Sequence, residues 1–126
     1  MVSPLQPRQF PALETEDYEG RVGDQSHLTR VQRGHVPTSA VAGLQGARGE
    51  RPGRHTTRSD ERYAALKDDI AKNGIKNSIF ITVDHGEQPK ISEGNNRRDA
   101  AVELGHSHVP VEIRYFGHAQ RTSKVV

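Results

Sequence analysis

The chain has 126 residues, which suffices for one domain with a modest core and leaves little room for a second. Because only 32% of the residues are apolar and 27% are charged, part of the chain is expected to lie outside any core. The lack of cysteine excludes disulfide scaffolds, thiolate zinc sites and cysteine catalysis, and no apolar run is long enough to cross a membrane. These features predict a soluble, cytoplasmic protein, and its formal net charge of +2 is too small to indicate nucleic-acid binding by itself.

Residues 1–34 are predicted to form a flexible N-terminal arm, because they contain three prolines and apolar residues without a sustained period. Such a segment is disordered alone or lies along a partner. The folded domain is then expected over 35–117, followed by a C-terminal tail at 118–126.

Within the domain, local signals indicate two helices and several strands. Ser59 is a helix N-cap followed by two acidic residues, Asn73-Gly74 is a helix stop, and branched residues mark the strands. The predicted elements, in chain order, are a short strand and a turn of helix at 35–44, a helix at 59–73, strands at 78–83 and 90–92, a helix at 96–104 and a strand at 109–116. This order indicates a small α/β (α+β) domain with a mixed sheet and packed helices.

The segment 43–58, GLQGARGERPGRHTTR, is predicted to be a loop because it is rich in glycine and arginine. A basic mobile loop beside a site can close over an anionic ligand, and a solvated surface loop is the alternative. The residues that would make lid contacts are Arg51, Arg54, His55 and Arg58.

The stretch ISEGNNRRDAAVELG, residues 91–105, carries the main functional signal. Helix N-termini attract anions through their unpaired N–H groups and the helix dipole. Gly94 permits a tight turn or a close backbone approach, and Asn95 or Asn96 can cap the helix. Arg97 and Arg98 can each donate two hydrogen bonds to a phosphate, so these five residues form a candidate phosphate-binding site.

Helical spacing distinguishes the two arginines. Arg97 falls on one stripe with Ala100, Ala101 and Leu104, so it is expected to pack on the domain, while Arg98 is turned roughly 100° away. An arginine in a packed stripe needs an anionic partner. That partner is either a ligand phosphate or a protein carboxylate, and the residues alone leave both open.

Other polar residues near this stretch receive narrower interpretations. Glu93 is the candidate catalytic base beside a bound phosphate, with an ion pair to Arg97 as the alternative. His106 and His108 lack a third ligand, so no metal site is predicted. Solvated helix faces are assigned to Asp68, Asp69, Asp99 and Glu103.

Residues 62–115 resemble the ParB/sulfiredoxin superfamily in the order of their features. These are a helix ending in Asn-Gly, an apolar strand, a hairpin, a glycine-led arginine motif that opens a helix, and a closing Val-Pro-Val strand; residues 35–41 fit the first strand of that domain. In partition proteins of the superfamily the motif is a Gly-Glu-Arg-Arg box that binds nucleotide phosphates, and in phage-borne relatives it is closer to Glu-Gly-Asn-His-Arg. The resemblance implies a small ParB/sulfiredoxin-like domain of phage type, with Gly94 and Arg97 on phosphate and ATP or CTP with Mg²⁺ as the cofactors to consider.

Two departures limit what carries over from the superfamily. Sulfiredoxin chemistry needs a cysteine in this loop, so that activity is excluded. Asn95 stands where the partition-protein box has glutamate, so the nucleotide-driven clamp of those proteins is not carried over.

The sequence therefore predicts a protein that binds a nucleotide or another phosphate group and acts around DNA as a phage or mobile-element protein. Hydrolysis of a nucleotide or nucleic acid is left open. One alternative is a non-catalytic protein that binds a host or virion protein through its arm and basic loop. The other is a non-specific DNA-binding protein or nuclease, for which affinity should depend steeply on salt.

Overall fold

The structure, a computed structural model, describes residues 13–17, 28–53, 60–84 and 87–116. Five strands and two helices lie in these ranges. In chain order they are β1 Glu14–Asp17, β2 Leu28–Pro37, a 3-10 turn Thr38–Ala40, α1 Asp60–Asn73, β3 Ile79–Asp84, β4 Lys90–Glu93, α2 Asn95–Leu104 and β5 His108–Phe116. None of the helices in the described ranges is long and apolar enough to cross a membrane.

The strands form one mixed sheet in the order β1-β2-β5-β3-β4. Neighbours run antiparallel except β3 and β5, which pair in parallel from Ile79↔Val111 to Asp84↔Phe116. A parallel pair needs a crossover connection, and here β4 and α2 supply it. The predicted α+β architecture with a mixed sheet is confirmed.

The core lies between the sheet and α2, and α2 is covered a second time by α1. On β5, Val109, Val111 and Ile113 alternate with outward residues and are at most 1% exposed. Ala101 of α2 belongs to this sheet cluster, whereas its neighbour Ala100 packs with Tyr63 and Ile70 of α1. The small alanine side chains let α2 lie close to both layers.

The predicted helix ends are confirmed, and glycine explains both. The first helix ends at Asn73 before Gly74, which has φ 76°, and the second ends at Leu104 before Gly105, which has φ 74°. A left-handed residue directly after a helix lets the chain turn away, and glycine adopts it without strain.

The prediction of an arm through residue 34 is wrong for residues 14–17 and 28–34, which lie in the sheet. The strand expected to begin at His35 begins at Leu28 and pairs along the whole of β5. The apolar alternation that would indicate this strand is weak, because one of its buried positions holds a polar residue, Gln32, which is 3% exposed. Two hydrogen bonds compensate for the burial of the Gln32 amide, one donated to Thr15 Oγ1 at 3.1 Å and one accepted from Tyr115 Oη at 2.8 Å.

β1 joins the sheet by backbone pairing with β2, from Glu14↔Arg33 to Asp17↔Arg30, and two ion pairs accompany this pairing. Its four residues are all exposed, and Asp17 and Glu16 accept hydrogen bonds from Arg30 at 2.7 Å and Arg33 at 3.3 Å on β2. Exposed ion pairs of this kind contribute little each. Apolar periodicity did not reveal this strand because none of its four residues is apolar or buried. The rest of the predicted arm and the tail at 118–126 lie outside the described residues.

Candidate functional site

A groove of about 530 Å³ opens where β4 ends and α2 begins. Four parts of the chain line it. They are Ser92 and Glu93 of β4, Gly94–Arg97 at the start of α2, Leu66 of α1, and Arg48 with Glu50 from the segment 41–53, called here the loop segment.

Gly94 lines the groove with its backbone, since it has no side chain. It is the N-cap of α2 with φ 109°, and its carbonyl accepts the first helical hydrogen bond from Arg98 N at 2.9 Å. Because the N-cap residue has no side chain, it leaves the N–H groups of the first helical turn without a side-chain cap from that position. A Cβ added at Gly94 would lie 3.0 Å from Arg97 Nη2 and 3.3 Å from Ile79 Cα, so glycine is needed both for the conformation and for space.

Arg97 lies half-buried at this helix end. Its Nη2 donates to the carbonyl of Ser78 at 3.1 Å, while its buried Nε has no hydrogen-bond partner within the described ranges. Burial lowers the pKa of the Arg97 guanidinium, and the nearby Glu93 carboxylate partly opposes this shift. A partly desolvated cation with a spare donor is suited to an anionic ligand.

Asn95 contributes an acceptor on the same side. It is 9% exposed, and its Oδ1 has no hydrogen-bond partner among the described residues. The opposite wall approaches closely here, since a Cβ added at Gly46 would lie 2.9 Å from Asn95 Nδ2 and against the Glu50 carboxylate. The groove therefore offers a buried acceptor as well as a buried donor.

The loop segment is held beside α2 by pairing with β4. Gln45 O accepts from Ile91 N at 2.9 Å, and Ala47 N donates to Ile91 O at 2.8 Å, as in a short parallel strand. The Glu50 carboxylate then accepts from Arg48 N at 3.0 Å. This tight turn directs the side chains of Arg48 and Glu50 to the groove, which contains two arginines and two carboxylates.

Arg98 lies away from the groove, in the interior. It is 0% exposed, its Nε donates to Asp99 Oδ1 at 2.7 Å, and its Nη1 donates to the carbonyls of Val41 at 2.9 Å and Leu44 at 2.7 Å. Arg98 is therefore fully packed, although it is predicted to be turned roughly 100° away from the packed stripe. It is not placed to contact a ligand in the groove, in contrast to its prediction as a phosphate-binding residue. The assignment of Asp99 to a solvated helix face is also wrong, because Asp99 is 3% exposed.

Arg98 and Asp99 are buried because α2 is covered on more than one side. A helix with a single buried stripe would have left Arg98 in water. Here the sheet, α1 and the loop segment all contact α2, so the buried surface also includes Asn95, Arg98 and Asp99.

The remaining predicted site residues are distributed as follows. Glu93 and Asn96 line the groove, with Glu93 exposed to solvent. Arg51 is exposed and does not line the groove, and Arg54, His55 and Arg58 lie outside the described residues. In the described ranges, no three His, Cys, Asp or Glu side chains come close enough to hold a metal ion.

Sequence reasoning did not identify Glu50 as a groove residue and placed Arg48 only within the basic loop. A signal was present in the spacing of Gly46 and Gly49 around Arg48, which is typical of a tight turn. What the spacing lacked was any indication that this turn pairs with β4, because that contact spans more than forty residues.

Several solved structures are similar to this chain, and two of them are described here. One is the C-terminally truncated chromosome-partitioning protein ParB from Caulobacter crescentus complexed with CTP-gamma-S, at 19% identity and a TM-score of 0.50, covering 73% of this chain and 49% of that one. The other is a Pnob8-like ParB-N domain, at 16% identity and a TM-score of 0.48, covering 77% of this chain and 34% of that one. The first of these likenesses shows a ParB-like fold, and this chain spans about half the length of that truncated Caulobacter chain. No protein-family model matches the sequence, and no curated protein matches it.

Proposed function

We propose that this ParB-like domain binds a nucleotide, or another compound with a phosphate group, in the groove at the start of α2. The observation that carries the proposal is Arg97, whose buried Nε has no partner in the described part of the chain beside a glycine-capped helix N-terminus. Leaving a buried donor unpaired costs about 1–3 kcal/mol. A phosphate oxygen at this position would remove that cost and would also meet the positive end of the helix dipole.

The other wall of the groove supports a nucleotide over a bare phosphate. Arg48 adds a second cation, while Asn95 Oδ1 and the Glu50 carboxylate can accept hydrogen bonds. A bare phosphate at neutral pH has few donors to offer them, whereas sugar hydroxyls and base amines supply several. The balance of donors and acceptors is therefore better matched by a nucleotide.

CTP and ATP are the first ligands to test, because a protein of the same fold was solved with the CTP analogue CTP-gamma-S. Mg²⁺ prefers oxygen ligands and is usually held by one or two carboxylates together with phosphate oxygens, so the Glu50 carboxylate would hold the ion of a bound Mg²⁺–nucleotide with the phosphates. Such an ion would neutralise phosphate charge. Glu93, exposed at the groove, is the proposed base if a water is to be activated.

Calorimetry of the full chain with CTP, ATP, GTP and a short DNA duplex, each with and without Mg²⁺, tests the proposal. We expect one nucleotide to bind, and we expect Arg97→Ala to weaken it by about a hundredfold through loss of a charge-assisted contact. Arg114→Ala is the matched control, since Arg114 is an exposed arginine on the opposite face of the sheet. Binding that is equal in the Arg97 and Arg114 variants, or absent from the wild type, would contradict the proposal.

The wider setting is proposed from the resemblance of residues 93–97 to the Glu-Gly-Asn-His-Arg segment of phage-borne relatives. This resemblance supports the proposal that the chain is a phage or mobile-element protein that acts around DNA in a bacterial cytoplasm. Repeating the DNA titration at higher salt tests this setting, because a protein that binds DNA through its cations loses affinity steeply with added salt.

A further inference from the structure

Arg98 and Asp99 form a buried ion pair that the ligand groove does not use. They are 0% and 3% exposed, and Arg98 Nε donates to Asp99 Oδ1 at 2.7 Å. One further atom of each, Arg98 Nη2 and Asp99 Oδ2, is buried without a hydrogen-bond partner in the part of the chain that the structure covers. A pair of this kind is an inefficient stabiliser of a fold, since desolvation offsets most of its attraction.

The contacts of this pair reach both ends of the loop segment. Arg98 Nη1 donates to Val41 O at 2.9 Å and Leu44 O at 2.7 Å, at its beginning. Gly53 N donates to Asp99 Oδ1 at 3.0 Å, at its end. Two adjacent side chains of α2 thus hold the two ends of the segment.

Between these two anchors lie the residues that form one wall of the groove. The middle of the loop segment pairs with Ile91 of β4, and its turn directs Arg48 and Glu50 to the groove. The first turn of α2, which forms the facing wall, belongs to the same helix as the anchors. A displacement of Arg98 would therefore change the distance between the two walls without touching the ligand.

We propose that Arg98 and Asp99 are positioning residues, which hold the loop segment so that Arg48 and Glu50 face the N-terminus of α2. The part of this inference that concerns ligand affinity rests on the proposed function, and the part that concerns the loop segment does not. Arginine is required at position 98 because its planar guanidinium donates in several fixed directions, whereas a lysine amine reaches Asp99 or the carbonyls but not both sets.

Hydrogen exchange of the ligand-free full chain tests the loop part. Arg98→Lys is expected to speed exchange of the amides of Gly46, Ala47 and Gly53, while the amides of β3 and β5 stay protected as in the wild type. Arg114→Lys, a change of the same kind at an exposed ion pair, is the control and should alter neither set. The double variant Arg98→Met with Asp99→Asn removes both charges and should give the same local pattern.

Unchanged exchange in the loop segment would overturn the inference. Equal acceleration in the loop segment and the strands, or loss of the folded sheet in both variants, would overturn it too, because Arg98 would then support the fold as a whole. The expected result is acceleration confined to the loop segment, residues 41–53.

A double-mutant cycle with CTP and inorganic triphosphate as probes tests the ligand part. Arg98→Lys is expected to weaken binding about tenfold in the wild-type background and by clearly less in an Arg48→Ala background, because its effect passes through the loop segment. Equal losses in both backgrounds would contradict a positioning role. If calorimetry identifies ATP or GTP instead, that nucleotide replaces CTP in the cycle. If the wild type binds no nucleotide and no triphosphate, the proposed function fails, and the exchange result decides the inference by itself.

Discussion

Arg97 and Arg98 are adjacent in the chain, yet the two residues have different roles. Arg97 lines the groove and keeps a buried donor without a partner among the described residues. Arg98 makes three hydrogen bonds inside the protein. Both are arginines at the start of one helix, so the difference comes from what covers each side of α2. Composition and motif alone do not distinguish them.

Gly94→Ala is expected to destabilise the protein by about 1–3 kcal/mol and to weaken nucleotide binding, because φ 109° is strained for alanine and the new Cβ would lie 3.0 Å from Arg97 Nη2. Urea unfolding measures the first effect and calorimetry the second. Gly105→Ala is the matched control: it also has positive φ, 74°, but its Cβ would meet no described atom within 4 Å. If the two variants bind nucleotide equally well, the contact with Arg97 has no part in the site.

At the scale of elements, the loop segment and β4 act as one unit. The segment has no helix or strand of its own beyond a single bridge, Gly46↔Ile91. Its position depends on that bridge, on the turn closed by Glu50 and on the contacts with α2. A groove wall built in this way is sensitive to small changes where the loop segment meets α2.

Gly46→Ala is expected to displace Glu50 and to cost about 1–3 kcal/mol, because a Cβ at this position would overlap the Glu50 carboxylate and crowd Asn95 Nδ2. Urea unfolding and exchange of the Ala47 amide report the change. Gly43→Ala controls for the loss of glycine flexibility in the same segment, since its Cβ would meet no atom of the described chain within 4 Å. The interpretation fails if both variants lose the same stability.

At the scale of the whole molecule, the sheet, α2 and α1 form successive layers, and β2 joins the sheet edge to β5. Two tyrosines lie where these parts meet. Tyr63 of α1 donates to Glu103 of α2 at 2.8 Å, and Tyr115 of β5 donates to Gln32 of β2 at 2.8 Å. Burial raises the pKa of both, and that of Tyr115 reaches about 12 against the opposing effect of the Arg30 cation.

These shifts predict a loss of stability in alkali. Above the unfolded pKa of 10.0, the unfolded chain loses the Tyr115 proton while the folded chain keeps it until about 12, so the stabilising contribution is complete below 10.0 and falls between these values. Tyr115→Phe should be less stable at neutral pH and should show a shallower decline over this window than the wild type. Urea unfolding at several pH values measures both slopes, and parallel slopes would show that Tyr115 does not contribute.

Several features of the fold could be predicted from the sequence because they depend on neighbouring residues. Helix ends at Asn73 and Leu104 follow from the glycines that come next, and the buried face of β5 follows from alternation. The order of these elements led to the ParB-like fold, which the likeness to a solved structure confirms. The strand from Leu28 to Gly34 was missed because one of its buried positions holds a polar residue, Gln32, whose amide is satisfied by side-chain hydrogen bonds from distant parts of the chain.

The two helices, the later strands, the fold and the position of the glycine-arginine motif could thus be predicted, since these depend on local backbone preference and side-chain period. Three other features follow only from the packing of the folded chain. They are the choice of arginine that faces the groove, the burial of Asp99, and the second wall formed by Arg48 and Glu50. Those outcomes depend on contacts between residues far apart in the chain, such as Arg98 with Val41 and Asp99 with Gly53. A sequence pattern records the faces of one helix, but it does not record how many other elements cover them.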